Sequence, residues 1–442
     1  MFFTNPNSQM RNAARGWLEL ADKIRHYRRD QMSDITLLDL RLKTEALRAR
    51  VREKADAARL KLAIEELEPV LARTGGRIYP RSGTTEWVEF LVVGLILILT
   101  VRQFFFQPFQ IPTNSMWPSY NGMVPEVHAT PADEPGAIAR ALRYFTLGAS
   151  AFRVDAPVDG EILIPVEQHP APKTGRTWLV FPQPQLTYDL YVDGPNGAVK
   201  VPLSVPKDFD FNLVLRDAFA SQLAGIDESP GSQEVKNSIV WRELDDAWGR
   251  KMQFIRTGKR VRAGERVLSF DIISGDRLLV DRMSYHFVRP SVGEGFVFHT
   301  TNIPGTVDRA GNHIESYYIK RLVGLPGDTL QIRPPVLYRK AANGDSLAPI
   351  TGAQAFYDNN NQTGRYRGYT NPNFHTDPRY GARYLTSPEK TFTVSNNGYF
   401  ALGDNSNNSA DSRYFGEVPK KDAVGRPIWV FYPFGKHWGP AR

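Results

Sequence analysis

Apolar and charged residues alternate along residues 33–72 with the period of an α-helix. The apolar positions recur at spacings of four and seven residues, at Leu40, Leu47, Val51, Ala58 and Leu62. Glutamate, lysine and arginine lie between them, so the pattern predicts one long charged helix within a helical region of residues 1–82. Such a helix could form a short coiled coil, lie on a membrane surface or pack on another part of the protein, and the pattern leaves these three open.

The most apolar stretch follows, in "EWVEFLVVGLILILTVRQFFFQPF". Only twelve residues separate Glu89 from Arg102, a run short enough for the core helix of a soluble protein. However, a tryptophan precedes the run and three phenylalanines follow it, as aromatic residues do at membrane interfaces. From Trp87 to Phe106 the stretch has the roughly twenty residues that a span needs. We predict one transmembrane helix within residues 83–107, retained as an anchor because it lacks the features of a cleaved signal peptide.

Beyond residue 107 the pattern changes to short β-type runs separated by glycine, proline and asparagine. Examples are "EILIPV", "TWLVF", "RLLVDR", "GFVFHT", "YYIKRLVGL" and "TFTV". Such runs predict strands, mostly antiparallel. Helical patterns are few, and the strongest are "PGAIARALRYF" and "FNLVLRDAFASQLAGI". We therefore predict a mainly β protein with an N-terminal α-helical region and one transmembrane helix.

Charge is unevenly distributed along the chain. The 442 residues include 55 Lys and Arg against 47 Asp and Glu, a formal net charge of +8, and the basic excess lies in residues 1–85. Basic residues beside a membrane segment are retained in the cytoplasm, so we expect the N-terminus inside and the larger C-terminal part outside. The nearly neutral remainder has no basic footprint and no motif for nucleic acid, so no nucleic-acid partner is expected.

Cysteine and histidine usage excludes several kinds of chemistry. The chain has no cysteine, which rules out disulfides, thiolate catalysis and cysteine-based zinc sites. Its eight histidines form no HExxH or comparable pair, so we expect no metal site.

A serine and a lysine are the strongest candidates for catalysis. Ser115 lies in "QIPTNSMWPSY", just past the apolar run, and Lys320 lies in "SYYIKRLVGLPGD". Burial in an apolar strand lowers the pKa of a lysine, and a neutral amine can take the proton of a serine hydroxyl. Taken singly, the serine is typical of a turn and the lysine of a solvent-facing strand position. Together they fit a Ser-Lys pair.

Four segments in order make this combination specific. They are "VRQFFFQPFQIPTNSMWPS", "SGDRLLVDRMSY", "YIKRLVGLPGD" and "GYFALGDNSNNSADSRYFGEVP". In this order they resemble the sequence blocks of type I signal peptidases, the membrane-anchored serine-lysine enzymes that remove signal peptides from exported proteins. The resemblance implies a signal-peptidase-type antiparallel β catalytic domain and cleavage after small-x-small sites, without a cofactor. It also implies two partners, preprotein signal peptides and the lipid bilayer, and a single-pass location in the inner membrane with the catalytic domain on the periplasmic side.

The resemblance assigns roles to residues around the serine. Ser115 would be the nucleophile and Lys320 the general base. The family's oxyanion hole uses the nucleophile's backbone N–H and a serine hydroxyl two residues earlier, where this chain has Thr113. Threonine keeps the hydroxyl donor but adds a methyl group and restricts χ1. Ile111 and Met116 would line the shallow pockets for the small residues of a substrate bound as an added β-strand.

The last block would supply supporting residues. Ser409 matches the family serine that orients the lysine amine by a hydrogen bond. Asp411 and Arg413 match a pair that supports this block, and Asp404 lies in its opening "GDN". Without the resemblance, these residues would be interpreted as a salt-bridged, asparagine-rich turn.

The spacing of the blocks departs from the family pattern. A long stretch separates Tyr120 from Gly275, whereas the family's first two blocks are normally close together. We predict a catalytic domain formed by residues 108–120 and 270–442, interrupted by an inserted β/α domain of residues 121–269. The ends of the insertion, "DAPVDGEILIPV" and "GKRVRAGERVLSFDIISG", resemble the halves of a lipoyl-type, barrel-sandwich domain that lacks the modifiable lysine turn. Substrate selection, docking of an unknown partner and cell-wall contact are all open functions for it.

Two other interpretations compete with the peptidase. A self-cleaving repressor of the same wider fold predicts a DNA-binding helix-turn-helix and no membrane span, and neither fits. A non-enzymatic membrane-anchored adaptor with a lipoyl-like domain fits the insertion but leaves Ser115, Lys320 and Ser409 unexplained. Residues 342–388, rich in Asn, Gly and Tyr, are predicted to be a noncatalytic extension or a solvated loop within the catalytic region.

Overall fold

The structure is a computed structural model, and it describes residues 6–79, 83–166, 168, 170–177, 181–219, 239–245, 251–307, 312–350, 368–372 and 383–441. The chain divides into two compact units, Met1–Thr100 and Val101–Arg442.

The first unit is helical. Its helices are α1 (Pro6–Arg28), α2 (Asp34–Arg52), α3 (Ala57–Thr74) and α4 (Gly83–Phe104), with 3₁₀ turns at Arg29–Gln31 and Gly76–Ile78. Helices α1, α2 and α3 share one apolar core, and each contributes fully buried side chains, including Ile24, Leu47 and Leu67. These three charged helices therefore form a small apolar core separate from the cores of the strand-rich unit.

The single helix predicted for residues 33–72 is wrong, because the stretch folds into the two helices α2 and α3. Lys54 adopts a left-handed φ of 54° between them. Asp56 then caps α3 by accepting a hydrogen bond from a backbone N–H of its first turn at 2.9 Å. The turn resets the helical phase, so that Leu60 is buried while Leu62 is exposed.

Helix α4 differs from the three helices that share the core. Its stretch Trp87–Phe104 is long and apolar enough to cross a membrane, and none of it is buried. No other helix in the described part of the chain passes the same criterion. Glu89, near its start, forms an ion pair with Lys23 of α1. The predicted transmembrane segment is thus present as an exposed apolar helix of the required length.

The second unit consists mainly of strands. In chain order they are β1 (Phe106–Gln110), β2 (Val124–Val127), β3 (Ser150–Asp155), β4 (Gly160–Pro165), β5 (Ala171–Thr177), β6 (Phe181–Gly194), β7 (Gly197–Pro206), β8 (Ile239–Asp245), β9 (Lys251–Val261), β10 (Arg266–Ile273), β11 (Arg277–Asp281), β12 (Gly295–His299), β13 (Tyr317–Gly324), β14 (Thr329–Arg333), β15 (Val336–Lys340), β16 (Ala348–Pro349), β17 (Thr391–Thr393), β18 (Gly398–Leu402), β19 (Val418–Pro419), β20 (Ala423–Tyr432) and β21 (Gly439–Pro440). Helices are α5 (Ala137–Leu147), α6 (Phe211–Ala218) and α7 (Ser412–Phe415), with 3₁₀ turns at Asn114–Met116, Pro131–Asp133, Ser284–His286, Ser406–Asn408 and Lys420–Asp422. The predicted fold class, mainly β with N-terminal helices and one apolar helix, is confirmed.

Two sheets carry the sequence blocks around Ser115 and Lys320. The larger has the order β1-β11-β20-β12-β13-β18-β19, with β21 beside β20, and the smaller has the order β16-β15-β14-β17. Every named pair in them is antiparallel. Strand β1, which leads to Ser115, thus shares a sheet with β13, which carries Lys320.

The stretch predicted to be an insertion forms two further sheets. Their orders are β2-β10-β3 and β5-β6-β4-β9-β8, with β7 beside β6, and they share a large apolar core that includes Ile162, Val192 and Phe270. The two end segments of the insertion pair with each other, β3 with β10 and β4 with β9. The domain limits and the barrel-sandwich likeness stay predictions.

Some predicted segments lie outside the described residues. Most of the predicted extension at 342–388 does so, at 351–367 and 373–382. The centre of "TWLVF" and the second half of "FNLVLRDAFASQLAGI" also lie outside them, and the first half of the latter is α6.

Candidate active site

Ser115 sits in a 3₁₀ turn that is held from two directions. The Asn405 N–H donates to the Ser115 carbonyl at 3.1 Å, and the Asn405 side chain donates to the Asn114 carbonyl at 2.9 Å. The Asn114 side chain accepts from the Gly122 N–H at 2.8 Å and donates to the Met123 carbonyl at 3.1 Å. The turn is therefore fixed both by the chain that follows it and by the last sequence block.

The segment between β1 and this turn is anchored by the "SGD" sequence. The Ile111 N–H donates to the Asp276 carbonyl at 2.9 Å. The Asp276 carboxylate accepts from the Asn121 N–H and from His437 Nδ1, each at 2.7 Å. A Cβ at Gly275 would overlap the Ile111 carbonyl oxygen, so only glycine permits this close approach. The second block thus positions the strand that delivers the serine.

Lys320 points from β13 to the serine. Its Nζ donates to Ser115 Oγ at 2.7 Å, and the lysine is only 5% exposed. Burial lowers the pKa of Lys320 to about 8; the charges of Asp411 and Asp404 oppose this shift and that of Arg413 reinforces it. The amine is therefore neutral in a useful fraction of molecules near pH 8 and is in hydrogen-bond contact with the hydroxyl that it would deprotonate.

Ser409 lies close to the same turn. A Cβ at Gly403 would overlap Ser409 Oγ and would come within 2.6 Å of the Ser115 carbonyl oxygen, so both serines pack against this glycine. Ser409 Oγ is buried and has no hydrogen-bond partner among the described residues. The predicted hydrogen bond to Lys320 is thus not formed in this structure, and the orienting role of Ser409 stays a prediction.

Asp411 and Arg413 form a fully buried ion pair. Arg413 Nε and Nη2 each donate to the Asp411 carboxylate at 2.8 Å, and neither side chain is more than 1% exposed. Asp411 also accepts from the Gly403 N–H at 2.9 Å. Arg413 further donates to Ser406 Oγ at 2.7 Å and to the Thr370 carbonyl at 2.8 Å. Together these contacts hold the loop that packs against the Ser115 turn.

Asp404 is the centre of a second buried network that sequence analysis recovered only in part. It accepts from Arg321 Nη2 and from Ser119 Oγ, each at 2.5 Å, and from the Tyr369 hydroxyl at 2.8 Å. Arg321, Ser119 and Tyr369 were missed. A usable signal was present, because a second cation directly after Lys320 in an apolar strand points to the opposite face and needs a buried carboxylate.

The other predicted site residues lie beside the turn. Thr113 directly precedes it and is exposed, and its hydroxyl makes no hydrogen bond to another described residue that would fix where it points. Ile111 is 2% exposed and Met116 is fully buried, both within the apolar cluster that includes Tyr120 and Val297. They can therefore shape a substrate pocket from beneath, and their pocket-lining role stays a prediction.

The arrangement suits covalent catalysis by a serine. A hydroxyl in contact with a buried amine of lowered pKa can be deprotonated as it attacks a carbonyl carbon. In the described part of the chain no group of three or more histidine and carboxylate side chains could hold a metal ion.

Known proteins are similar to this chain over its strand-rich part. The family described as "Signal peptidase, peptidase S26" matches residues 268–432, which include Lys320 and the last block. Signal peptidase I of Leptolyngbya laminosa is 31% identical over 161 residues, covering 36% of this chain and 62% of the relative. Probable signal peptidase I-1 of Synechocystis sp. is 30% identical over 165 residues, covering 37% and 66%. This chain thus spans less than two thirds of the length of these two relatives.

A third relative is covered more fully. Signal peptidase I S of Bacillus subtilis (strain 168) is 32% identical over 146 residues, which cover 32% of this chain and 68% of the relative.

Proposed function

This chain belongs to the signal peptidase I family, peptidase S26, and from that premise we propose that it is a membrane-anchored serine endopeptidase that removes N-terminal signal peptides from exported preproteins. The observation that carries the proposal is the 2.7 Å hydrogen bond between Lys320 Nζ and Ser115 Oγ, two side chains 205 positions apart in sequence. Cleavage is expected after small-x-small sites. The adaptor alternative gives no reason for this pair.

Ser115 carries the first half of the reaction. Its Oγ attacks the carbonyl carbon of the scissile peptide bond while Lys320 Nζ takes the hydroxyl proton. The negative charge that develops on the carbonyl oxygen is stabilised by the Ser115 N–H and the Thr113 hydroxyl. The Lys320 ammonium then gives its proton to the leaving amine as the C–N bond breaks. The mature protein departs with a new N-terminus, and the signal peptide remains esterified to Ser115.

Water completes the reaction through the same lysine. Lys320, again neutral, takes a proton from a water molecule whose oxygen attacks the ester carbon. The ester C–O bond breaks, and the proton returns from Lys320 to Ser115 Oγ. The signal peptide leaves with a free carboxylate, and the site is restored.

The supporting residues keep this geometry during turnover. We assign to Ser409 the orientation of the Lys320 amine once substrate has displaced the present contact with Ser115. The Asp411–Arg413 pair and Asp404 hold the loop against which the serine turn packs. Ile111 and Met116 limit the depth of the pockets for the small residues before the scissile bond.

We assign to the apolar helix α4 the role of holding the site at a membrane. In the proposed topology it crosses the inner membrane once, with the N-terminus in the cytoplasm and the strand-rich unit on the outer side. A signal peptide's apolar stretch lies in the bilayer, so its scissile bond emerges near the surface. Ser115 lies a short distance along the chain after α4, which ends at Phe104. The bilayer would therefore hold the nucleophile and the substrate close together.

The test is cleavage of a preprotein by the detergent-solubilised full chain. We expect cleavage after a small-x-small site, and we expect Ser115→Ala and Lys320→Ala each to abolish it. The exposed lysine variant Lys390→Ala is the matched control and is expected to cleave at the unaltered rate. If Ser115→Ala or Lys320→Ala cleaves as fast as this control, the proposed mechanism is wrong. If the unaltered chain does not cleave, the adaptor alternative is favoured.

A further inference from the structure

Helix α5, in the predicted insertion, exposes an apolar stripe. Ile138, Leu142 and Phe145 are spaced by four and three residues, which places them on one face of the helix. They are 88%, 62% and 68% exposed, and no residue of α5 is buried. A surface helix of a soluble protein normally turns such a stripe into the core. This helix instead presents it outward.

The opposite side of α5 is fixed to the protein. Arg143 forms ion pairs with Glu126 at 2.6 Å and with buried Asp271 at 3.2 Å. The Leu147 carbonyl accepts a hydrogen bond from the Ser274 N–H at 3.2 Å. Since Arg143 is on the helix face away from the stripe, these contacts hold the apolar face outward.

Exposed aromatic residues lie close to the C-terminal end of α5. The Phe434 N–H donates to the Thr146 carbonyl at 2.9 Å. The ring centroids of Phe434 and Trp438 are 6.2 Å apart, and those of Trp438 and Trp429 are 5.9 Å apart. Phe434 and Trp438 are 58% and 53% exposed. The exposed rings of the β20–β21 connection thus lie beside the C-terminal end of α5.

The composition of α5 suits a lipid surface. The helix has no acidic residue. Arg140 is exposed on the side opposite the apolar stripe, whereas Arg143 is paired with Glu126 and Asp271. An apolar stripe opposite an exposed cation fits helices that lie in the plane of a membrane interface, and tryptophan is enriched at that depth.

The same unit of the chain begins at the proposed membrane anchor. The residues that lead from α4 into β1, Phe104, Phe105 and Phe106, are all exposed. Strand β1 shares its sheet with β20, which leads directly into the connection that carries Phe434. If α4 crosses a bilayer, the strand-rich unit begins at the bilayer surface. Lipid is therefore the apolar partner nearest to its exposed apolar residues.

We infer that α5 is a further membrane contact, which lies in the lipid interface beside Phe434 and Trp438. The inference rests on the proposed anchoring by α4. The contact bears on catalysis because Ser274 is hydrogen-bonded to the end of α5 and the adjacent Gly275 packs against Ile111. Ile111 in turn leads into the Ser115 turn. Contact of α5 with lipid fixes the height of the nucleophile above the bilayer.

The absence of native cysteine allows a direct test. Single cysteines replace Ile138, Leu142 or Phe145 in the full chain, which is labelled with an environment-sensitive fluorophore and reconstituted into vesicles of phosphatidylethanolamine and phosphatidylglycerol. Arg140→Cys, off the stripe, is the matched control, and Leu95→Cys in α4 reports on the anchor. We expect spin-labelled lipids to quench the stripe probes and the Leu95 probe, and aqueous iodide to quench the Arg140 probe.

The outcomes distinguish failure of the α5 inference from failure of the proposed anchoring by α4. If the Leu95 probe is lipid-quenched but the stripe probes respond only to iodide, α4 is an anchor and the α5 inference is wrong. If the stripe probes are shielded from both quenchers, a second copy of the chain covers the stripe, and the lipid contact is again wrong. If the Leu95 probe itself is not lipid-quenched, the anchoring on which the inference rests fails.

A second measurement links the contact to catalysis. The triple variant Ile138→Ser, Leu142→Ser, Phe145→Ser changes only exposed side chains, so the fold is expected to persist. In vesicles its cleavage of a full preprotein should fall several-fold, whereas cleavage of a short soluble peptide in detergent should stay unchanged. Equal rates for variant and unaltered chain in vesicles would overturn the catalytic role of the contact.

Discussion

Lys320 meets two opposed demands. Burial lowers the pKa of its amine, which suits the proposed role as a general base, but the same burial disfavours the charged form that dominates at neutral pH. Its folded pKa of about 8 lies below the ordinary 10.5, so between these values the unfolded chain binds more protons than the folded one. Stability from this group therefore rises with pH across that window, and below pH 8 its full destabilising effect is present. The buried lysine therefore lowers the stability of the folded chain. In the proposed mechanism, the same burial keeps part of the amine neutral and able to accept a proton.

The pH dependence of catalysis follows from the same pKa. We expect kcat/KM to rise with pH and to level off above about pH 8, because only the neutral amine of Lys320 takes the serine proton. Below that pH the neutral fraction, and with it the rate, should fall about tenfold per pH unit. The measurement is a pH profile on a soluble peptide substrate, in detergent. A profile flat down to pH 5 would argue against the lysine base.

Replacing the lysine should stabilise the protein while removing activity. Lys320→Met keeps the apolar stem and removes the buried charge, so the free energy of unfolding at pH 7 should rise by up to roughly 3 kcal/mol. Denaturant unfolding of the variant and the unaltered chain at pH 7 and at pH 10 checks this. The gain should shrink at the higher pH, and a gain independent of pH would assign it to packing instead.

Close backbone contacts between elements decide where the serine turn lies. The "SGD" sequence touches the chain at Ile111, while Gly403 and Asn405 touch it at Ser115 itself. These contacts are made through backbone atoms, so they explain why glycine occurs at two points where a side chain has no room. The turn is therefore a joint product of β1, the start of β11 and the loop after β18.

A methyl group at one of these contacts should disturb the turn. Gly275→Ala introduces a Cβ that overlaps the Ile111 carbonyl, so we expect a stability loss of about 1–3 kcal/mol and reduced activity. Gly435→Ala is the matched control, because nothing lies within 4 Å of its Cβ. Thermal unfolding and peptide cleavage of both variants test this. Equal behaviour of the two would show that the contact does not constrain the turn.

The local sequence pattern predicted some of the helices and strands correctly and missed others. The β-type runs around Lys320 and the apolar helix α4 were recognisable because their periodicity and composition are unambiguous. The break at Lys54 was not, because the apolar spacing runs on through a turn whose cap, Asp56, is one acidic residue among many. The Asp404 network was predicted only in part. Arg321, next to Lys320 in an apolar strand, indicates a need for a buried carboxylate, but no local signal joins the distant Tyr369 to it.

Along the chain, three helices with a shared core come first, the apolar helix α4 follows, and the strand-rich unit comes last. Sequence charge alone gives an orientation, because the basic excess precedes α4. The pairing of Lys23 with Glu89 places a compensating cation beside an acidic residue near the start of the apolar stretch. The proposed cytoplasmic location of the first unit rests on the basic excess alone.

Protease accessibility tests this orientation. In sealed inside-out vesicles of the inner membrane, we expect protease to remove a tag placed before α1 and to spare the strand-rich unit. In sealed right-side-out vesicles the strand-rich unit should be the accessible part, because the basic residues before α4 stay inside. Detergent-opened vesicles, in which both parts are exposed, provide the control. Protection of the tag in inside-out vesicles would reverse the proposed topology.

The contact between Asn405 and the serine turn joins positions 291 residues apart. A ribosome making this chain releases Ser115 and Lys320 well before it reaches Asn405 and the Asp411–Arg413 pair. The growing polypeptide therefore lacks the contacts that fix the Ser115 turn until the segment around Asn405 has been synthesised. A product stalled or truncated before that segment would carry the Ser115 and Lys320 side chains without the contacts that position the serine.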